Sequence, residues 1–289
     1  MPLARFGEQE FRASDIDVDS ASWPTPLQCY GCETPVSAIG SFMKETGRTS
    51  AHFRRYPGRP HGPSCVYDVH AQVTEIAEDS DGLLQRRNRL WRLVATETLR
   101  RSKPELSEPD GGRDSVTYAR RTSTLLSTAA RVSHVIEQFR LDGGDIAAGF
   151  AAVCNGELVS WHEFYYLPRV AWRLAHRLRD GELRHPVVVA MRVESAALAR
   201  SGASFALEQP VPGPWIDVDD DRDYHVVIRS KDPKLLQPYR PGTWVLALGL
   251  WSLFPWPRGK RTDVCLWVDA PHQLAEISAP PACNTVRYR

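Results

Sequence analysis

Cys29 and Cys32 stand two residues apart in the stretch CYGC, and Cys65 closes the same Gly-, Pro- and Ser/Thr-rich segment. Two thiolates at that spacing can grip one metal ion while the amides between them support the sulfurs. A closed site needs four ligands, and Cys65 is the natural third. Two histidines lie in the segment, His52 and His61. The local spacing His61-x3-Cys65 favours His61 as the fourth, and His52 stays open beside it. A segment this poor in apolar residues buries too little surface to order itself. A bound ion would supply the missing folding free energy, roughly 10–16 kcal/mol in zinc-finger peptides. Zinc is the expected ion, and with four protein ligands it would be structural rather than catalytic. Cys154, Cys265 and Cys283 are scattered along the chain and read as packing residues.

Other places where chemistry could sit give weaker signals. Asp15, Asp17 and Asp19 imitate the start of a calcium loop, but Ser20 stands where its Gly is required and Pro26 where its closing Glu should be. Their alternation is expected to be a strand with an exposed acidic face. The acidic run Asp217–Asp223 is expected to be a solvated turn. Gly259-Lys260-Arg261-Thr262 resembles the end of a phosphate loop, but Phe254 occupies the place of the leading Gly. Cys154 has no assignable base, and His162-Glu163 lacks the second His of a zinc protease. A nuclease pattern of Asp followed by Glu-x-Lys fails at DYHVVIRSK, where Arg229 stands in the place of the acid.

The chain has 289 residues, 42% hydrophobic and 25% charged, with a formal net charge of +1. These are the proportions of an ordinary soluble protein of about two or three domains. It contains no run of 18 apolar residues and no secretory signal pattern at its start, so no membrane partner and a cytoplasmic location are expected.

Three helices are expected in a basic middle region: one from Leu83 to about Arg101, one from Ser115 to Phe139, and one from near Ser160 through LPRVAWRLAHRLRD. The first carries Arg86, Arg87, Arg89, Arg92, Arg100 and Arg101 against the one acid Glu97. Guanidinium forks suit phosphate, which makes these segments a candidate backbone track. From His185 the pattern changes to five β-rich runs: PVVVAMRVES, ASFALEQ, DYHVVIRS, GTWVLALGLW and TDVCLWVDA. A short helical candidate, KDPKLLQPYRPG, lies between the third and fourth. This order resembles an OB-fold, and PYRPGTWVLALGLW is similar to the fourth strand of single-strand-binding OB domains. The resemblance implies that the connection between strands four and five, WSLFPWPRGKRT, is an oligonucleotide-binding loop. There Trp251, Phe254 and Trp256 would stack on bases while Arg258, Lys260 and Arg261 hold phosphates. Tyr224, Trp244 and Trp267 could lie on the barrel face or in its core.

The first 65 or so residues resemble the N-terminal module of bacterial CoiA-like competence proteins. The matching parts are FGEQEFRASDID, CYGC, ETPVSAIG, AHFRRYPG and PSC. The resemblance implies Cys29, Cys32, His52 and Cys65 as the ligand set. Arg55 stands where that family often has a second His, so His61 remains the alternate. The expected architecture is an α+β chain. It has a zinc-binding module over 1–70, an Arg-rich helical region over 71–184, a five-stranded OB-like β-barrel over 185–276 and a tail over 277–289. The expected function is nucleic-acid binding, to single-stranded DNA, in DNA processing or defence and without catalysis, with Arg54 and Arg55 presented to phosphates by the zinc module. A diverged CoiA-like nuclease is the first alternative, and a protein-interaction module the second.

Overall fold

The computed structural model describes residues 1–44, 47–49, 51–62, 65–95, 112–141, 146–198, 204–211, 223–256 and 260–280. It is a mixed α+β structure with few helices and many strands in several sheets. The chain forms two compact units. One contains Met1–Asp79 and Val132–Ala147, the other Ser80–Arg131 and Ala148–Ala279.

The first unit opens with β1 (Leu3–Phe6) and β2 (Gln9–Arg12). After α1 (Ile16–Asp19) come β3 (Leu27–Cys29), β4 (Pro35–Ile39), β5 (Phe42–Lys44), β6 (Gly47–Thr49) and β7 (His52–Arg55). Five of these strands form one antiparallel sheet in the order β2-β1-β3-β4-β7, and β5 and β6 form a separate ribbon. Leu3, Ala4, Phe11, Leu27, Val36 and Phe53 are buried. Trp23 extends this core, its ring 5.0 Å from Phe11 and 5.9 Å from Phe53. Asp15, Asp17 and Asp19 do not form a strand. They lie in a 3-10 turn and in α1, and Asp17 Oδ1 accepts the Ser41 amide at 2.8 Å. Helix α2 (Val69–Asp79) buries Val73 and Ile76, residues three apart on one face.

In the second unit, β8 (Leu84–Arg87) and β9 (Leu90–Val94) replace the first expected helix. The apolar spacing there fits either period over so short a run. The turn decides, because Asn88 and Arg89 both have positive φ and join the strands in two residues. Leu84 and Leu93 then face each other across the ladder and are buried. Helix α3 (Gly112–Leu141) agrees with the second expected helix; its residues to Arg131 belong to this unit and those from Val132 to the first. Strands β10 (Phe150–Cys154) and β11 (Glu157–Ser160) follow, so Cys154 is a buried ladder residue. They complete a four-stranded sheet of order β11-β10-β9-β8, with β9 and β10 parallel. The third expected helix is divided into α4 (Trp161–Phe164), β12 (Tyr165–Tyr166) and α5 (Ala171–Arg179), and a 3-10 turn begins at Pro168. The middle region is therefore strands and helices in alternation, not helical throughout.

The β-rich runs form β13 (Val187–Arg192), β14 (Ser195–Leu198), β15 (Phe205–Pro210), β16 (Asp223–Ser230), β17 (Trp244–Gly249), β18 (Ser252–Pro255), β19 (Arg261–Trp267) and β20 (Leu274–Ile277). A 3-10 turn at Pro233–Leu235 separates β16 from β17. The described residues do not form one closed sheet. They divide into β12-β13-β17-β20 and β14-β15-β16-β19-β18. Two segments feed both sheets: β13 runs on into β14 after Val193 and Glu194, and β17 into β18 after Leu250 and Trp251. Gly249 sits at the second of these corners. A Cβ there would meet Leu266 Cδ1 at 2.5 Å, so only glycine fits without moving the core. Val189, Met191, Leu207, Val226, Ile228, Val245, Ala247, Val264 and Leu266 lie in one apolar core packed by Leu174 and Ala175 of α5. No described helix is long and apolar enough to cross a membrane.

Candidate metal centre and aromatic sheet face

Strand β3 ends at Cys29, and a tight turn brings Cys32 back beneath it, with the Cys32 amide donating to the Cys29 carbonyl at 3.2 Å. The turn needs Gly31, whose Cβ would lie 3.2 Å from Cys65 Sγ and 3.1 Å from Tyr67. A second turn repeats the device, the Cys65 amide donating to Gly62 and the Asp68 amide to Cys65. The amides two residues on, Gly31 and Tyr67, hydrogen-bond the sulfurs of Cys29 and Cys65 respectively. Tyr67 is anchored edge-on against Phe139 at 5.7 Å.

These turns bring Cys29, Cys32, His61 and Cys65 together, with one ligand atom from each and all four within 4.8 Å of one another. Cys29 Sγ lies 3.7 Å from Cys65 Sγ, and His61 Nδ1 lies 3.4 Å from both Cys32 Sγ and Cys65 Sγ. A tetrahedral ion with metal–sulfur bonds of about 2.3 Å and a metal–nitrogen bond of about 2.0 Å has sulfur–sulfur edges of about 3.8 Å and sulfur–nitrogen edges of about 3.5 Å. The residues present therefore fit one ion. The fourth member is the alternate His61 and not His52, which stands on β7 opposite Ile39, outside the group. Locality decides: Thr34 donates its hydroxyl to the Pro60 carbonyl at 2.8 Å and so fixes the chain just before His61.

The thiols also call for a cation. Burial pushes Cys29 up to about 12 and raises Cys65. At Cys32, burial is outweighed by hydrogen bonding to Thr34, to the Gly62 amide and to His61, which brings the thiol down to about 6. One thiolate forms readily, and the next two need a positive charge beside them. None of the three is in a disulfide. Arg54 and Arg55, the expected phosphate contacts of this unit, are exposed on β7, and Arg55 donates to the Arg59 carbonyl at 3.2 Å.

The expected binding loop is largely a strand. Ser252–Pro255 pairs with Thr262–Cys265 as the β18–β19 hairpin. Trp251 is 5% exposed, a core residue whose Nε1–H donates to the Val187 carbonyl at 3.3 Å, so it is not available to stack on a base. Tyr224 is likewise core. Arg258 lies outside the described residues, and Lys260 is exposed.

Alternation places Phe254, Asp263, Trp267, His225, Arg229 and Glu208 on the side of the five-stranded sheet that faces away from the apolar core. Phe254 is 50% and Trp267 49% exposed. Arg229 lies over the Phe254 ring at 5.4 Å and Arg261 over Trp256 at 5.2 Å. Both cations are also claimed by acids. The fully buried Asp263 accepts Arg229 at 2.8 Å and Arg261 at 2.7 Å, and Arg261 pairs with Glu208 at 3.1 Å. Arg261 is thus a ring-capping, ion-paired residue rather than an open phosphate ligand. Three buried nitrogens on or beside this face, Trp256 Nε1, Arg229 Nε and His225 Nδ1, have no hydrogen-bond partner among the described residues. Sequence reading missed His225 and Arg229 here, although their alternation with core Val226 and Ile228 was available. No protein family matches the chain, and no curated protein or solved structure is significantly similar to it.

Proposed function

We propose that the protein binds single-stranded nucleic acid, DNA in the first instance, on the outer face of the β15-β16-β19-β18 sheet, with a structural zinc ion holding the first unit. The observation that carries the binding reading is this face itself. Phe254 and Trp267 are half exposed beside guanidinium groups, and buried donors lack acceptors. Aromatic faces take bases at roughly 1–3 kcal/mol each, and buried unpaired donors favour a ligand that brings acceptors.

An OB-like barrel is supported by the order of pairing. Counting β13 with β14 as the first strand and β17 with β18 as the fourth, the first pairs with the second and the second with the third. The third runs parallel to the fifth, the fifth pairs with the fourth, and the fourth with the first. In such a fold the outer face of the second and third strands is a ligand surface.

Zinc is favoured by three sulfurs and one imidazole nitrogen at the corners of a tetrahedron, a closed set with no open position. The chain's own residues do the binding: the two turns fix the sulfurs, and the amides of Gly31 and Tyr67 steady them.

Titration of a labelled single strand tests the binding reading. Trp267→Ala and Phe254→Ala should each weaken binding by about 1–3 kcal/mol with the salt dependence unchanged. Folded variants that bind like the parent would remove the proposal. Elemental analysis of protein purified under reducing conditions should find about one zinc per chain, and its absence would remove the metal.

A further inference from the structure

We propose that the β8–β9 hairpin is a second nucleic-acid contact, one that takes the sugar-phosphate backbone of a duplex. Residues 83–94 carry Arg86, Arg87, Arg89 and Arg92 and no acid. Leu84 and Leu93 anchor the base of the hairpin in the core, while Arg86, Arg87, Asn88 and Arg89 are exposed at its tip. Among the described residues no ion pair involves Arg87 or Arg89. Arg86 lies over the ring of Trp91, the one aromatic residue of the hairpin, at 5.7 Å, and Trp91 is half-buried. The hairpin therefore offers several exposed forked donors and no fully exposed ring, which suits the backbone of paired strands more than unpaired bases.

The turn supplies an independent sign. The same sheet contains a second hairpin, β10–β11, with the same two-residue connection. There the turn is Asn155-Gly156, with φ of 53° and 82°. In β8–β9 it is Asn88-Arg89, with φ of 52° and 65°. Glycine adopts that second conformation freely, and an arginine does so against its preference. The chain uses the favoured pair once and at the other tip places a guanidinium where glycine would fold better. Backbone of this kind, kept at a local cost, points to a role for the side chain. A two-stranded ribbon is also of a size that the major groove of B-form DNA admits. This site stands apart from the stacking face and does not need it.

The test is fluorescence anisotropy of the full chain with a labelled DNA duplex and with its single strand, over about 50–200 mM salt. The double variant Arg87→Ala/Arg89→Ala should bind duplex about fiftyfold more weakly at about 0.1 M salt, with the logarithmic salt slope shallower by about 1.8, the counterion release of two phosphate contacts. Lysine at both positions should restore most of the slope. Arg89→Gly should raise Tm by about 2 °C while losing about half of the slope change. An Arg89→Gly protein that is more stable and binds duplex like the parent overturns the proposal, because the arginine then serves no contact. So does a double variant that keeps duplex binding but loses binding to polyglutamate, which would make the hairpin a protein-docking element. A chain that binds duplex through these arginines and ignores single strands retains this proposal and removes the stacking-face reading. A chain that binds neither removes both.

Discussion

The two units of this protein have interiors of different composition. In the first, the candidate ligands Cys29 and Cys65 are themselves among the buried residues, and among the described residues between β4 and Cys65 only Phe53 is buried. In the second, the interior of the paired sheets is mostly Val, Leu, Ile and Ala with Met191, Tyr224 and Trp251, and its buried carboxylate Asp263 faces outward from it. The proposed ion would add a cross-link to the first interior. The same division sets what each unit can present. The first holds Arg54 and Arg55 on an edge strand, and the second sets half-exposed Phe254 and Trp267 on one sheet face with Arg229.

The strongest way to break this comparison is to remove the proposed metal ion. Chelation, or Cys65→Ser, should unfold the first unit, a loss on the order of 10 kcal/mol for a structural site. Hydrogen exchange should then show protection lost over 27–39 and 52–55 but kept over 187–192 and 244–249. Equal loss in both would mean that one cooperative core serves the whole chain. His61→Ala should release the ion far more readily than His52→Ala, and the reverse order would contradict the placement of His61.

The next effect concerns the second unit's own weak point. Asp263→Ala leaves Arg229, whose side chain is only 15% exposed, and Arg261 without their shared partner. Denaturant unfolding should show a loss of about 3–5 kcal/mol, with any metal content unchanged. Gly249→Ala comes third. It must displace Leu266, and overpacking of this kind costs about 1–3 kcal/mol. A neutral result at Gly249 would mean that the corner is looser than the core it joins.

The smallest effect is a pH dependence. Burial first, and the Arg261 charge second, lower the pKa of His225 against the pull of Asp263, Glu208 and Asp223. The unfolded chain therefore takes up its proton first, near about pH 6.5. The stability contributed by neutral His225 is whole above that value and shrinks as pH falls toward the lower folded value. Tm measured between about pH 7.5 and 5.5 should fall less in His225→Gln than in the parent. An unchanged slope would place His225 in ordinary solvent.

Much of this was legible in the residues, and what escaped has physical reasons. The CYGC turn and Cys65 announced a ligand set by spacing alone, and the strand runs after His185 announced themselves by β-branched content and turn residues. Local spacing also favoured His61, whereas the family resemblance argued for His52. The stretch Leu83–Val94 was misleading because Leu90, Leu93 and Val94 also fit a helical stripe over so short a run, and Asn-Arg is not the usual turn pair. Trp251 was misplaced because aromatic–cation alternation in WSLFPWPRGKRT says nothing about which rings turn inward. Partners far away in sequence decided that: Val187 takes the indole of Trp251, and Glu208 takes the charge of Arg261.

Because β13 continues into β14 and β17 into β18, neither of the two sheets they share has a seam along which it could open by itself. Their defining ladders, β13 with β17 and β16 with β19, join segments far apart along the chain. Such closures form late, after the entropy of long loops has been overcome, and folding dominated by them is slow. A ribosome making this protein delivers β13 through β16 before the strands that close around them exist. Until β17 and then β19 have left the exit tunnel, the free edges of β13 and β16 in turn are open to any neighbouring chain. The period of greatest risk for this molecule is its own synthesis.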